Sequence, residues 1–199
     1  MKKKLPRSFY IRDDVVTISR ELLGKFLMTK FNGVVTGGMI VETEAYNGIE
    51  DRASHAFNGR RTKRTEIMYS PGGIVYVYLC YGIHHLFNVV TNKNDTPHAV
   101  LIRAIEPLDG IELMLKRRRK SELTRNLCAG PGSMSQSLGI TTYNTGLDLL
   151  GNTIWIEDRG IALKKNEIVS SKRIGVEYAG EHAKRLWRFT IKGNQWASK

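Results

Sequence analysis

Cysteine is almost missing from this sequence: Cys80 and Cys128 are the only two among 199 residues. Two isolated cysteines can build neither a disulfide framework nor a four-ligand zinc site, so a reducing compartment, the cytoplasm, is expected. Long apolar runs are missing too. The basic start "MKKKLPRSFYIRDD" is followed by no apolar signal-peptide core, and no window approaches the roughly 20 residues of a membrane span. Repeats, linkers and low-complexity tracts are absent, which leaves residues 1–199 as one domain. A chain of this length can bury about 70% of its unfolded surface without staples. Acidic residues are scarce, 19 against 31 Lys and Arg, for a net charge of +12 and a pI near 9.8. That imbalance favours a polyanionic partner, most often nucleic acid.

What is present is mixed helix and strand patterning. "DDVVTISRELLGK" predicts a helix: Asp13 or Asp14 caps it, Val15, Ile18 and Leu22 form an apolar stripe, and Gly24 stops it. Residues 34–46 and 74–81 read as strands, and Phe87 to Thr91 as another. "VLIRAIEPL" predicts a strand running into a helix start, with Pro107 in the first turn and "GIELMLKRRRK" as the helix. A short helix opens at Ser133 after "AGPG", and "LWRFTIKGNQW" ends in a strand. Without regular βαβ alternation, the expected class is α+β, with a mixed, curved, partly barrel-like antiparallel sheet and surrounding helices.

Four stretches carry candidate chemistry. In "VETEAY" the even-numbered residues from Ile40 to Tyr46 share a strand face, which puts Glu42, Glu44 and Tyr46 together. Such a face suits either a solvated edge or the wall of an acidic pocket. Just beyond, "EDRASHAF" brings Asp51 and His55 close; a Glu/Asp/His cluster can run acid–base chemistry or hold a metal, and can equally be solvated surface. In "VYVYLCYGIHHLFNVV", Tyr76 and Tyr78 share a face, and a three-residue loop from Gly82 to His84 would set Tyr78 opposite Asn88. Tyrosines fill cores well, but Tyr81, at a turn beside Gly82, is better placed as a wedge between bases. "KRRRKSELTR" sets basic residues at 116–120 and 125, a solvated face or a phosphate contact, and "AGPGSMS" offers amide donors at a helix start.

Taken in order, "VETEAY" with "EDRASHAF", "VYVYLCYGIHHLFNVV", "VLIRAIEPL", "NLCAGPG" and "RIGVEYAGE…WRF…G…W" resemble the alkyladenine (3-methyladenine) DNA glycosylase family over about residues 35–196. The resemblance implies an enzyme that flips damaged purines out of double-stranded DNA and hydrolyses the N-glycosidic bond, leaving an abasic site. It implies a protruding hairpin whose Tyr81 intercalates, and a base pocket with Tyr46 and His55 on one side and Tyr78 on the other. Glu44 matches the general base, Arg103 and the backbone carbonyl of Ile174 match groups holding the water, and Asn88 matches the residue that crowds the 2-amino group of guanine. The implied substrates are 3-methyladenine, hypoxanthine and ethenoadenine. No metal or other cofactor is implied, nor a membrane, and a monomer is expected, nucleoid-associated if the chain is bacterial. Glu42 carries no role in that match; a salt bridge or hydrogen bond to a neighbouring segment is expected of it. His84 and His85 depart from the pattern, and either could make DNA binding pH-dependent if it reaches DNA.

Two other classes account for part of the pattern. A noncatalytic nucleic-acid-binding module explains the charge and the tyrosines, but not carboxylates beside a phosphate-binding face. A metal-dependent nuclease would use Glu42, Glu44, Asp51 and His55.

Overall fold

The computed structural model describes residues 2–198. Its strands are β1 (Lys3–Lys4), β2 (Phe26–Phe31), β3 (Val34–Tyr46), β4 (Val75–Cys80), β5 (His84–Thr91), β6 (His98–Asp109), β7 (Ile154–Asp158), β8 (Ile168–Ser171) and β9 (Arg188–Ile191). They form one nine-stranded antiparallel sheet in the order β1-β7-β2-β3-β6-β5-β4, with β9 joining β3 and β8 pairing β9. The helices are α1 (Arg7–Tyr10), α2 (Val15–Glu21), α3 (Ile111–Arg118) and α4 (Pro131–Leu138). The class is α+β, as the patterning predicts, and the sheet stays open instead of closing into a barrel.

The expected α2 forms for the expected reason. The Asp14 carboxylate accepts from the amides of Val16 and Thr17, and Val15, Ile18 and Leu22 are buried. β3 also forms over the expected residues and is the spine of the sheet. β2 and then β9 pair along one of its edges and β6 along the other. Gly38 permits the β3–β6 approach: a Cβ there would sit 2.2 Å from the carbonyl oxygen of Glu106.

Three boundaries differ from expectation. Pro107 lies inside β6 instead of the first turn of a helix, opposite Gly38 at a register shift, where a missing N–H costs little. α3 starts two residues past the end of β6, with Gly110 as its cap at a positive φ of 73°. α4 opens at Pro131 instead of Ser133, with proline in the first turn, a position whose amide is unsatisfied in any helix. β5 begins at His84, three residues before the expected start.

Two opposed bulges shape β3 and β6. Ile40 pairs with Ile105 and Glu42 with Ala104, so Val41 is an extra residue on β3; Thr43 pairs with Ile102, so Arg103 is an extra residue on β6. The first bulge breaks the expected alternation at its start: Ile40 and Val41 both lie in the main core. Only Glu42, Glu44 and Tyr46 then share the polar side. The second bulge aims Arg103 at that side.

Candidate active site

Glu42 and Glu44 are fully buried, which removes the solvated-edge reading. Burying a carboxylate is costly unless it is paired and hydrogen-bonded. Both conditions are met. Arg103 Nε donates to Glu42 Oε1 at 2.8 Å, and its Nη1 lies 3.3 Å from Glu44 Oε1. Glu44 Oε1 also accepts from the Ile174 amide at 2.8 Å, and Oε2 from the Tyr46 hydroxyl at 2.7 Å. Burial, and then the Glu44 charge, hold the Tyr46 phenol well above its usual pKa, so it stays a donor. Of Ile174, the group that touches Glu44 is the amide N–H; its carbonyl is the group expected to help hold the water.

A cavity of about 440 Å³ opens in front of this cluster. It is lined by Tyr46, His55, Tyr78, Tyr81, Asn88, Arg103 and Ile174 among others, so the fold gathers seven of the eight anticipated residues from β3, β4, β5, β6 and three loops. The eighth, Glu44, lies directly behind the lining and touches three residues of it, Tyr46, Arg103 and Ile174.

The aromatic wall differs in detail from expectation. Tyr76 pairs with Asn88 and Tyr78 with Leu86, because the hairpin loop is Tyr81 to Ile83, one residue earlier than anticipated. Moving the loop by one residue shifts the pairing by two, which keeps Tyr78 and Asn88 on the same side. His55 meets Tyr78 edge to face, with centroids 4.6 Å apart. A base stacked between two rings needs roughly 7 Å, twice the carbon contact distance, so these two would have to part to hold one between them. His55 Nδ1 lies 2.9 Å from the Tyr76 hydroxyl. Burial, helped by Arg64 and Arg60, lowers the His55 pKa to about 4, so the ring is neutral at pH 7.

Asn88 is locked: its Nδ2 donates to the Tyr76 and Leu86 carbonyls at 3.2 and 3.1 Å. Tyr81 sits at the hairpin tip with φ of 51°, and 89% of its surface is exposed. A non-glycine residue in the left-handed region is strained by about 1–2 kcal/mol, and such strain concentrates at functional positions. Ile83 beside it is also exposed.

Other anticipated features take structural roles. Asp51, offered as an acid or metal ligand, is buried against Arg173, which donates to both its oxygens. Arg173 was not anticipated; its guanidinium also stacks on Tyr46 and Trp187. Within the basic run, Arg117 donates to Thr36 and the Ser137 carbonyl, and Arg118 to Gln136, Ser133 and the Asn126 carbonyl, tying α3 to α4. Those two are internal fasteners more than phosphate contacts. His85 Nδ1 accepts from the Thr142 amide, while His84 lines the cavity. Among the described residues no three His, Cys, Asp or Glu side chains group to hold a metal, and no helix is long and apolar enough to cross a membrane.

The site is thus an aromatic cavity backed by a buried carboxylate held by three groups, with an exposed tyrosine beside it, on a strongly basic protein. Residues 8–195 match the family model described as methylpurine-DNA glycosylase (MPG). A protein of Clostridium acetobutylicum is 46% identical over 98% of this chain and 97% of its own length, and one of Chlamydia felis 45% identical over 94% and 95%. Both are provisionally named as 3-methyladenine DNA glycosylases, as is a relative of Bacillus cereus strain G9842 at 43% identity. The chain belongs to the methylpurine-DNA glycosylase family and is a DNA glycosylase, a hydrolase of DNA repair.

Proposed function

We propose that the chain removes damaged purines, 3-methyladenine, hypoxanthine and ethenoadenine among them, by water-mediated hydrolysis of the N-glycosidic bond, and that it acts as a single-domain monomer. The observation that carries this reading is Glu44: a buried carboxylate held by Arg103, Tyr46 and the Ile174 amide, one layer behind an aromatic cavity.

Basic side chains bind the phosphates, and Tyr81 enters the stack and fills the space left by the rotated nucleotide. The base enters the cavity against the Tyr46 and Tyr78 rings, whose π faces attract a cationic alkylated purine. Asn88, with its amide nitrogen committed to backbone carbonyls, is a rigid obstacle to the 2-amino group of guanine. Glu44 orients and deprotonates the attacking water, and its charge stabilises the positive character that develops on the sugar. Arg103 helps to hold the water. A cationic base leaves without a proton; hypoxanthine and ethenoadenine need one. The locked carboxylate has no place in a merely binding module, where it would weaken phosphate contact.

The test is a duplex carrying one hypoxanthine or ethenoadenine, incubated in EDTA and examined with and without alkali, alongside alkylated DNA assayed for released 3-methyladenine. Strand cleavage that appears only after alkali, and is abolished by Glu44→Gln with lesion binding kept, is expected. Undiminished single-turnover excision by Glu44→Gln would remove Glu44 from its role. DNA binding without release of any base would leave the binding module.

A further inference from the structure

Glu42 is the buried charge that the mechanism above leaves unused. Its Oε1 accepts from Arg103 Nε at 2.8 Å and from Arg188 Nη1 at 3.2 Å. Ser198 closes the shell: its amide donates to Oε2 at 2.6 Å, and its hydroxyl lies 2.7 Å from both carboxylate oxygens. Ser198 is itself seated, since Trp196 is buried and the neighbouring Ala197 carbonyl accepts from Arg125 at 2.8 Å. Two fully buried carboxylates, Glu42 and Glu44, thus face two guanidinium groups, Arg103 and Arg188.

Among the described residues, Arg103 is the only side chain that touches both carboxylates. As the extra residue of the β6 bulge it is aimed at the polar side, and there its head group lies between the two carboxylates. The tighter contact is to Glu42, the longer one to Glu44. A guanidinium freed from Glu42 would fork onto Glu44 with two parallel hydrogen bonds, the geometry that planar pairs prefer. That would engage both Glu44 oxygens and favour the charged form, which weakens it as a base for water.

We propose that Glu42, held by Ser198, is a positioning residue for the glycosylase reaction: it keeps Arg103 from closing onto Glu44. This rests on Glu44 being the water-activating carboxylate. The groups facing Glu44 are Arg103 from β6, Tyr46 from its own strand and the Ile174 amide; Arg173, Tyr78 and Tyr178 lie within electrostatic reach. All but Arg103 stay in place when Glu42 is changed. Glu42→Gln also removes a like charge beside Glu44, which by itself favours the charged form of Glu44. A shifted limb in Ser198→Ala, which keeps that charge, is therefore what reports Arg103.

The experiment compares Glu42→Gln, Ser198→Ala and Glu44→Gln for single-turnover excision across pH, for affinity to a duplex with an uncleavable 2′-fluoro lesion nucleotide, and for thermal unfolding. Glu42→Gln is expected to slow excision on the order of tenfold to a hundredfold, the cost of a small misplacement, at affinity within about twofold of wild type. The acid limb of its rate profile moves to lower pH. Ser198→Ala is expected to show the same pattern, several-fold in size. Loss of rate that merely follows loss of folded protein, with the acid limb unmoved, overturns the proposal, as does wild-type excision by both variants. If Glu42→Gln does not fold, Ser198→Ala decides: slower excision at unchanged affinity supports the proposal, and an unchanged rate ends it. Failure of the underlying reading looks different, since Glu44→Gln would then excise at the wild-type rate.

Discussion

Arg173 lies behind Tyr46, its guanidinium carbon 4.8 Å from the ring centroid, with both terminal nitrogens held by the buried Asp51 carboxylate. An acid from the "EDRASHAF" stretch thus fixes a cation from a loop 122 residues away, and that cation backs an aromatic wall of the cavity.

Asp51→Asn should cost about 3–5 kcal/mol, because it leaves a buried guanidinium unpaired. Burial opposes ionisation of Asp51, but Arg173 holds its carboxyl below the usual range. The stability it contributes is therefore present above the ordinary carboxylate pKa and lost as pH falls through its folded value. Urea unfolding of the variant at pH 7 measures this; a loss under about 1 kcal/mol would mean the pair is not holding the loop.

Tyr81→Asn should separate stability from function. Asparagine tolerates the left-handed conformation better than tyrosine does, so the melting temperature should stay level or rise slightly. Lesion affinity should fall, by a few kcal/mol at most if the ring only fills space. Calorimetry with a binding titration measures both, and undiminished affinity would end the wedge reading.

His55 gives the fold a pH dependence of definite sign. Its folded pKa, about 4, lies below the unfolded value near 6.5. Between those values the unfolded chain binds the extra proton, so the contribution is complete above pH 6.5 and is lost as pH falls toward 4. Its size is at most about 3 kcal/mol. In His55→Asn the slope of stability against pH over that window should flatten; an unchanged slope would place the titration elsewhere.

Salt dependence distinguishes the two kinds of basic residue. DNA affinity should fall steeply with salt. Arg118→Ala should leave that slope unchanged and lower stability by about 1–3 kcal/mol, because it strips hydrogen bonds joining α3 to α4. A slope reduced by about one unit would show instead that Arg118 reaches a phosphate.

Local signals carried much of the fold. The Asp14 cap and the stripe of α2, the span of β3, and the exposed aromatic at a glycine turn were all visible because each depends on residues within one turn or strand. What escaped was set at a distance. The bulges at Val41 and Arg103 arise from how two strands meet, and no alternation within "VETEAY" announces them. Placing the hairpin loop one residue late changed every pairing along it. Arg173 and Ser198 reach the site from positions 122 and 156 residues from their carboxylate partners, beyond any local pattern. Within the basic run at 116–120, the fastening roles of Arg117 and Arg118 were not legible, because charge density in a sequence does not distinguish side chains that face water from those that fasten helices.

β3 is hydrogen-bonded along both edges and carries Glu42, Glu44 and Tyr46. Its amides should therefore exchange with solvent only when the whole sheet opens, whereas the hairpin tip and the loop bearing His55 can open locally. The carboxylates that need fixed geometry belong to the slowest-exchanging part of the molecule, and the surfaces that must adapt to a distorted duplex belong to the fastest. On the proposed mechanism, a lesion would be sampled by fast local motion without disturbing the geometry that acts on it.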